Sequence, residues 1–417
     1  MSALHAGGGA KPWLATFAIG LSTFTVVTAE MLPVGLLTPI VSTLNASIGR
    51  AGLLISLPAL FAALFAPLVV LGARRTDRRS LLIVFLLLLI AANLLAAAAT
   101  SMALLFAARI LLGFCIGGIW VIAGGLAERL VPPASVGLAL SVIFGGVAAA
   151  SVLGVPLGVF LGEALGWRMA FLAVAVLAAL TLLLLLCVLP PLPVTQAVSW
   201  RSFTTQRANR RLLLGLLLTF LLVAGHFMAY TFVRPLLQTV AGIESRWVGP
   251  LLFAYGVAGI VGNFIAGQAA AKRLRRTLAL IAFGLALAVL LLPLLGRAPL
   301  SGGAFLLLWG IAYGGVSVSL MAWMLKAAPD AVEVASSLYI ALFNLAISCG
   351  SLAGGLVVDA GGLTINGVLS GGLVVDAGGL TINGVLSGIV LLLALAILMR
   401  TRPQALTTAA KADSPPG

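Results

Sequence analysis

The sequence predicts an all-α membrane protein with twelve transmembrane helices arranged as two pseudo-symmetric six-helix bundles. Three observations carry that expectation. Of 417 residues, 62% are hydrophobic and 8% are charged, whereas soluble globular domains are about a quarter charged. Apolar runs long enough to cross a hydrocarbon core, about 20 residues each, recur along the whole chain. The net charge of +14 is gathered in short clusters between those runs: "ARRTDRR" (73–79), "RANRR" (207–211) and "KRLRR" (272–276). Clusters so placed read as cytoplasmic loops under the positive-inside rule, so the partner implied is a lipid bilayer and not nucleic acid.

The first run, near 13–36, follows a tail (1–12) with one lysine and no small-residue cleavage site, and reads as a retained span. Spans near 51–73 and 80–100 flank the first arginine cluster, and spans near 103–126, 136–162 and 169–190 complete a bundle over 13–190. A polar loop (191–211) separates it from spans near 212–235, 248–271, 278–296, 303–325, 334–358 and 384–399, with a tail at 400–417. The halves, 13–190 and 212–399, echo one another: "LPVGLL", "GRAGLL" and "ARRTDRRSLL" in the first correspond to "RPLLQ", "SRWVGPLL" and "KRLRRTLAL" in the second. Parallel six-helix repeats around a cavity are one solution for alternating access. With both termini inside, the outer face keeps only Arg50, Arg168, Arg246 and Arg297. Cys115, Cys187 and Cys349 lie in apolar runs without metal-ligand spacing and read as small core hydrophobes. No metal and no cofactor is expected.

Five stretches carry a resemblance to a known family: "TAEMLPVGLLTPI" on helix 1, "GARRTDRRSLL" between helices 2 and 3, "ARILLGFCIGG" on helix 4, "GGVAAASVLGVPLGVFLGEALGWRMAF" through helix 5 and "GHFMAYTFVRPLL" on helix 7. Over nearly the whole chain it resembles the major facilitator superfamily, in the twelve-helix drug:proton antiporter branch, with greatest likeness to its bacterial sugar and nucleoside efflux members. That resemblance implies a secondary transporter of the bacterial inner membrane, active as a monomer, exporting a small solute in exchange for protons.

Glu30 is the one carboxylate inside a span away from its ends. An ionisable group there costs at least a few kcal/mol unless it faces a cavity or partner, which makes it a candidate for proton coupling and substrate contact. A structural glutamate bonded to a neighbouring helix is the alternative. Helix 7 presents His226, Tyr230 and Arg234 at intervals of four, a slowly drifting stripe on one face. His226 is a candidate for coupling and substrate binding, Tyr230 for substrate binding; Arg234, before Pro235, reads as snorkelling to the interface. A lone histidine bonding a backbone carbonyl is the competing account.

By the resemblance, Arg109 begins an R-x-x-x-G-x-x-x-G pattern completed by Gly113 and Gly117 and linked with proton transfer. A buried guanidinium does not discharge, so it either biases a nearby carboxylate or holds helices in register. Gly72, Asp77, Arg78 and Arg79 map onto the family's gating loop, although the glycine-to-aspartate interval is one residue longer and the second glycine is absent; a solvated topogenic loop is an equal reading. Gly145, Gly146, Gly154, Pro156 and Gly158 resemble the antiporter signature of helix 5, with Val155 where the family often has proline. Asn344, Ser348 and Ser317 are polar positions of later spans, with Asn344 a candidate substrate contact.

One feature stands outside the pattern. The segment 354–370, "GGLVVDAGGLTINGVLS", is followed by an identical copy at 371–387. Two copies do not build a solenoid. The expectation is a helix ending near Val358, then Asp359–Asn366 as an outer loop, then a re-entrant or interfacial insertion over 367–375 produced by a recent tandem duplication. The first functional alternative to proton-coupled efflux is an uncoupled facilitator or importer. Enzyme chemistry is excluded: the spans hold no His-Glu-x-x-His, paired aspartates or nucleophile elbow.

Overall fold

The structure, a computed structural model, describes residues 10–72, 76–132, 135–193, 206–366 and 377–400. Twelve helices are long and apolar enough to cross a membrane. They are α1 (Ala10–Leu44), α2 (Leu53–Gly72), α3 (Arg78–Ala97), α4 (Met102–Leu130), α5 (Val136–Ala149, a π turn at Ala150–Gly154, then Val155–Leu165), α6 (Trp167–Val188), α7 (Arg210–Tyr230), α8 (Ser245–Ala270), α9 (Lys272–Leu295), α10 (Pro299–Ala327), α11 (Val332–Asn366) and α12 (Ala377–Arg400). Because the number is even, the chain leaves the bundle on the face it entered, here the near end; the opposite face is the far end.

Proline sets the irregularities. Pro156 lacks the N–H that would bond residue 152, and the ladder widens into the π turn just before it. On α7, Pro235 removes the donor for Thr231, and the helix breaks at Thr231–Phe232 before resuming at Val233–Pro235 and Leu236–Val240. Helix packing within each half relies on small residues, since lipid offers no hydrophobic drive between helices. Along α5, a Cβ on Gly146 would lie 2.1 Å from the Gly20 carbonyl oxygen, and one on Gly158 2.1 Å from Leu32 Cδ1. Gly154 meets Thr28 in the same row, so Gly146, Gly154 and Gly158 form the seam between α5 and α1, while a Cβ on Gly145 would meet nothing within 4 Å.

The halves touch at the far end. There α11 lies along α2 and α5 lies against α8, and the backbones of Gly49 and Gly355 meet so closely that a Cβ on Gly49 would lie 2.2 Å from the Gly355 carbonyl oxygen.

Two expectations need correction. Helix α11 does not end near Val358: it runs through Asp359 to Asn366, because the first copy of the repeat has no proline to stop it and Asp359 is held against Ser47 and Gly49 of the other half. Helix α12 begins at Ala377, several residues before the expected 384. Each copy therefore lengthens a different helix, and the whole of the expected insertion, 367–375, lies outside the described residues.

Candidate functional site

The site begins with three orphaned carbonyls. Pro33, Pro39 and Pro58 have no N–H, so Ala29, Gly35 and Leu54 lose their i+4 donors inside helices. In a bilayer such a carbonyl must be satisfied by the protein. Arg109 on α4, 2% exposed, does this for two of them: Nη1 donates to the Ala29 oxygen at 2.6 Å and Nε to the Leu54 oxygen at 2.7 Å. Its Nη2 donates to the main-chain oxygen of Glu30 at 2.6 Å. Arg109 thus joins α4 to α1 and α2, using main-chain partners and not the Glu30 carboxylate.

That carboxylate is buried within α1, and its Oε1 has no hydrogen-bond partner. Its electrostatic neighbours include Arg109 and, across the interface between the halves, Tyr313 of α10. Tyr313 in turn lies flat against His226, with ring centroids 3.4 Å apart and planes 8° apart. His226 continues onto Tyr230 at 4.9 Å and 21°, and Tyr230 onto Tyr255 of α8 at 5.0 Å and 24°. Two further rings stand across this column: Trp309 at 82° to His226 and 79° to Tyr230, and Phe227 at 90° to His226 and 87° to Tyr313. The Trp309 indole N–H donates to His226 Nδ1 at 2.9 Å. An indole nitrogen only donates, so Nδ1 accepts and the imidazole proton sits on Nε2. His226 Nε2 and the Tyr255 hydroxyl have no partner.

Sequence reasoning found His226 and Tyr230 but missed Tyr255, Trp309 and Tyr313. A usable signal existed: the chain has only four tyrosines, all in predicted spans, where a hydroxyl needs a reason to be.

Asn344 does not join this group; its side chain donates back to the Ile340 carbonyl of its own helix at 3.0 Å. Ser348 is buried elsewhere on α11, and Ser317 lies beside Tyr339. The gating-loop residues lie at the near end, within the first half. Gly72 closes α2, Asp77 caps α3 through Ser80 N–H at 3.1 Å and also accepts from the Leu192 amide. The Arg78 amide donates to the Leu192 oxygen at 3.0 Å, and Arg79 Nη2 to the Leu186 oxygen at 2.9 Å. This stitches the loop to the end of α6.

Arg234 corrects an expectation. It does not snorkel: it is 3% exposed because the Gly35 carbonyl freed by Pro39 accepts from its Nη1, while Nη2 donates to Glu163 Oε1 at 2.9 Å and Ser245 Oγ at 2.8 Å. Asp359 makes a second tie, accepting from Ser47 Oγ at 2.7 Å and the Gly49 amide at 2.9 Å, and Thr38 donates to Gln238 at 3.1 Å. Every one of these bonds, apart from that of Arg234 to Ser245 on its own side, crosses between the halves at the far end. Among the described residues, no cluster of three or more His, Cys, Asp or Glu could hold a metal ion.

Twelve apolar helices in two halves, joined at one end over a buried acid and an aromatic column, define a multi-pass membrane protein built of two six-helix bundles. The profile of the Major Facilitator Superfamily matches residues 15–351, and the chain belongs to that family; it is a multi-pass transporter and not an enzyme. Among similar proteins, the purine ribonucleoside efflux pump NepI of Escherichia coli O157:H7 is 36% identical over 355 residues, covering 84% of this chain and 89% of that one. The pump of the same name from Salmonella paratyphi A (strain ATCC 9150 / SARB42) is 35% identical over 361 residues, covering 86% and 91%. The fold matches that of a bacterial homolog of the human lysosomal transporter Spinster, inward-facing and unoccupied, with a TM-score of 0.76 at 18% identity over 94% of this chain and 97% of that one. It also matches the human organic anion transporter MFSD10, with a TM-score of 0.65 at 19% identity over 93% and 99%.

Proposed function

We propose that the protein exports a purine-nucleoside-type solute across a bacterial inner membrane in exchange for protons, by rocking its two halves about the buried centre. The observation that carries this reading is the Glu30 carboxyl. It is 5% exposed, lacks a partner for Oε1, and lies within electrostatic range of the tyrosine stacked on His226. An acid kept at that cost inside a membrane has a use for its proton. Glu30 carries the proton; Arg109 supplies the fixed positive charge beside it and holds α1 in place. His226 and Tyr230 contact the solute. The relatives, named as purine ribonucleoside efflux pumps, supply the solute class.

The near end, which holds the arginine clusters, faces the cytoplasm under the positive-inside rule. The conformation is then closed outward and held by Arg234, Glu163 and Asp359, which agrees with the inward-facing state of the Spinster homolog. The protein acts as a monomer. Inosine, adenosine and guanosine uptake into inverted vesicles tests the proposal: an imposed proton gradient is expected to accelerate it several-fold. Uptake indifferent to the gradient identifies an uncoupled facilitator, and no uptake removes the nucleoside assignment.

A further inference from the structure

The fully buried imidazole of His226 is held by aromatic rings. Tyr313 and Tyr230 lie along its faces and Phe227 stands across it. The Trp309 indole N–H donates to Nδ1 at 2.9 Å. That bond fixes more than position. An indole nitrogen cannot accept, so the bond exists only while Nδ1 keeps its lone pair. A proton added to the neutral ring has to go to Nδ1, because Nε2 already carries one. The imidazolium would then set Nδ1–H against the Trp309 N–H, donor against donor. Trp309 is fixed in its turn, 0% exposed and packed at 79° against Tyr230 and 88° against Tyr255.

The surroundings of the ring give a second, independent reason. A buried charge is costly unless it is paired, and the helices around His226 hold no carboxylate at its level. Helices α7, α8, α10 and α12 contain no Asp or Glu. Helix α11, which also packs on α7, carries Glu333 and Asp359 toward its two ends, and Asp359 is bonded to Ser47 and Gly49. Beside His226, Gly225 faces Leu391 of α12, and Gly350 of α11 faces the Ala224 oxygen. The ionisable groups around the ring are Tyr230 and Tyr313 in contact with it and Tyr255 one ring further. Glu30 of α1 lies within electrostatic range of Tyr313.

We propose that Trp309 is a positioning residue that locks His226 as the neutral Nε2–H tautomer, so that His226 presents a fixed hydrogen-bond donor and takes no share of the exchanged proton. The sequence offers both Glu30 and His226 for coupling; the lock divides the labour, leaving one group that titrates and one that does not. Nε2–H has no acceptor in the protein, and its use by the solute rests on the reading of His226 as a solute contact. The tautomer itself stands on the Trp309 bond and the missing counter-charge.

The chain has two histidines, His5 and His226, so nitrogen-15 histidine labelling of a His5→Gln protein in detergent gives the nuclear magnetic resonance signals of His226 alone. Across about pH 5 to 8, where an unperturbed imidazole titrates, Nδ1 is expected to stay unprotonated and Nε2 protonated. Trp309→Phe keeps a ring in place but donates nothing, and in that background an Nδ1–H signal is expected to appear. A doubly protonated His226 or an Nδ1–H tautomer with Trp309 intact overturns the lock, as does a monodisperse Trp309→Phe protein whose signals match those of its parent. In inverted vesicles with equal pH on both sides, Trp309→Phe is expected to add to the KM profile for inosine an inflection near about pH 6.5 that wild type lacks; superimposable profiles overturn the lock. Absence of inosine uptake by wild type removes the nucleoside reading, and the resonance signals then decide the lock without it.

Discussion

Two buried arginines in this chain answer to prolines. Arg109 and Arg234 serve carbonyls of Ala29, Leu54 and Gly35 that Pro33, Pro58 and Pro39 leave without donors. Each bent helix is thereby tied to a neighbour at its weakest point. Removing the guanidinium in Arg109→Leu orphans the Ala29 and Leu54 oxygens, at about 1–3 kcal/mol each, and takes the bond to the Glu30 oxygen with it. The expected result is a clear fall in the thermal unfolding midpoint of the detergent-solubilised protein, and an unchanged midpoint would show that the three bonds carry little. Glu30→Gln tests a different property, since it preserves shape and hydrogen-bonding capacity while removing the titration. The variant is expected to exchange solute across the membrane but to lose its response to a proton gradient in inverted vesicles; a response equal to wild type would take the proton role from Glu30.

Among the elements, the α1–α5 seam and the two copies of the repeat make separable predictions. At Gly146 the added Cβ meets a backbone oxygen, whereas at Gly158 it meets the end of the flexible Leu32 side chain. Gly146→Ala is therefore expected to lower folded yield and transport sharply, and Gly158→Ala to be tolerated, as read by size-exclusion recovery and vesicle uptake. The copies of the repeat make different contacts. In the first, Gly354 and Gly355 approach the Met228 and Gly49 carbonyls and Asp359 bonds Ser47 and Gly49. In the second, Asn383 donates to the Met228 oxygen at 2.7 Å, Gly384 meets Pro293, and Ser387 donates to the Asn383 oxygen at 2.7 Å. A single copy contains all of these residue types at the same distances from the flanking helices. Deleting 371–387 is expected to leave transport near wild type, because Asp359 remains and Asn366, Gly367 and Ser370 take the places of Asn383, Gly384 and Ser387. Loss of transport in a well-expressed deletion would assign the surplus stretch a function.

For the whole molecule, the far-end ties are what a rocking cycle has to break. Ser47 and Asp359 approach to 2.7 Å, so cysteines at both positions are placed to cross-link the halves. In a background with the exposed Cys187 and Cys349 changed to serine, oxidation of Ser47→Cys/Asp359→Cys is expected to stop transport and reduction to restore it. Transport undiminished after complete cross-linking would mean that this end need not open.

What could be read from residue order alone is what depends on local chemistry. Apolar run length and prolines set the spans and the bends, the arginine clusters set the expected orientation, and the lone acid of α1 and histidine of α7 stood out because charge and imidazole are costly in lipid. Contacts between distant segments could not be read so. Tyr255, Trp309 and Tyr313 are separated from His226 by whole helices, and in an apolar run a tyrosine facing the centre has the same neighbours in sequence as one facing lipid. Arg234 appeared to be an interfacial residue until the fold brought Gly35 and Glu163 to it. The extension of α11 through the repeat was hidden for the opposite reason, since identical segments have identical local preferences, and only their neighbours in space decide which helix each one joins.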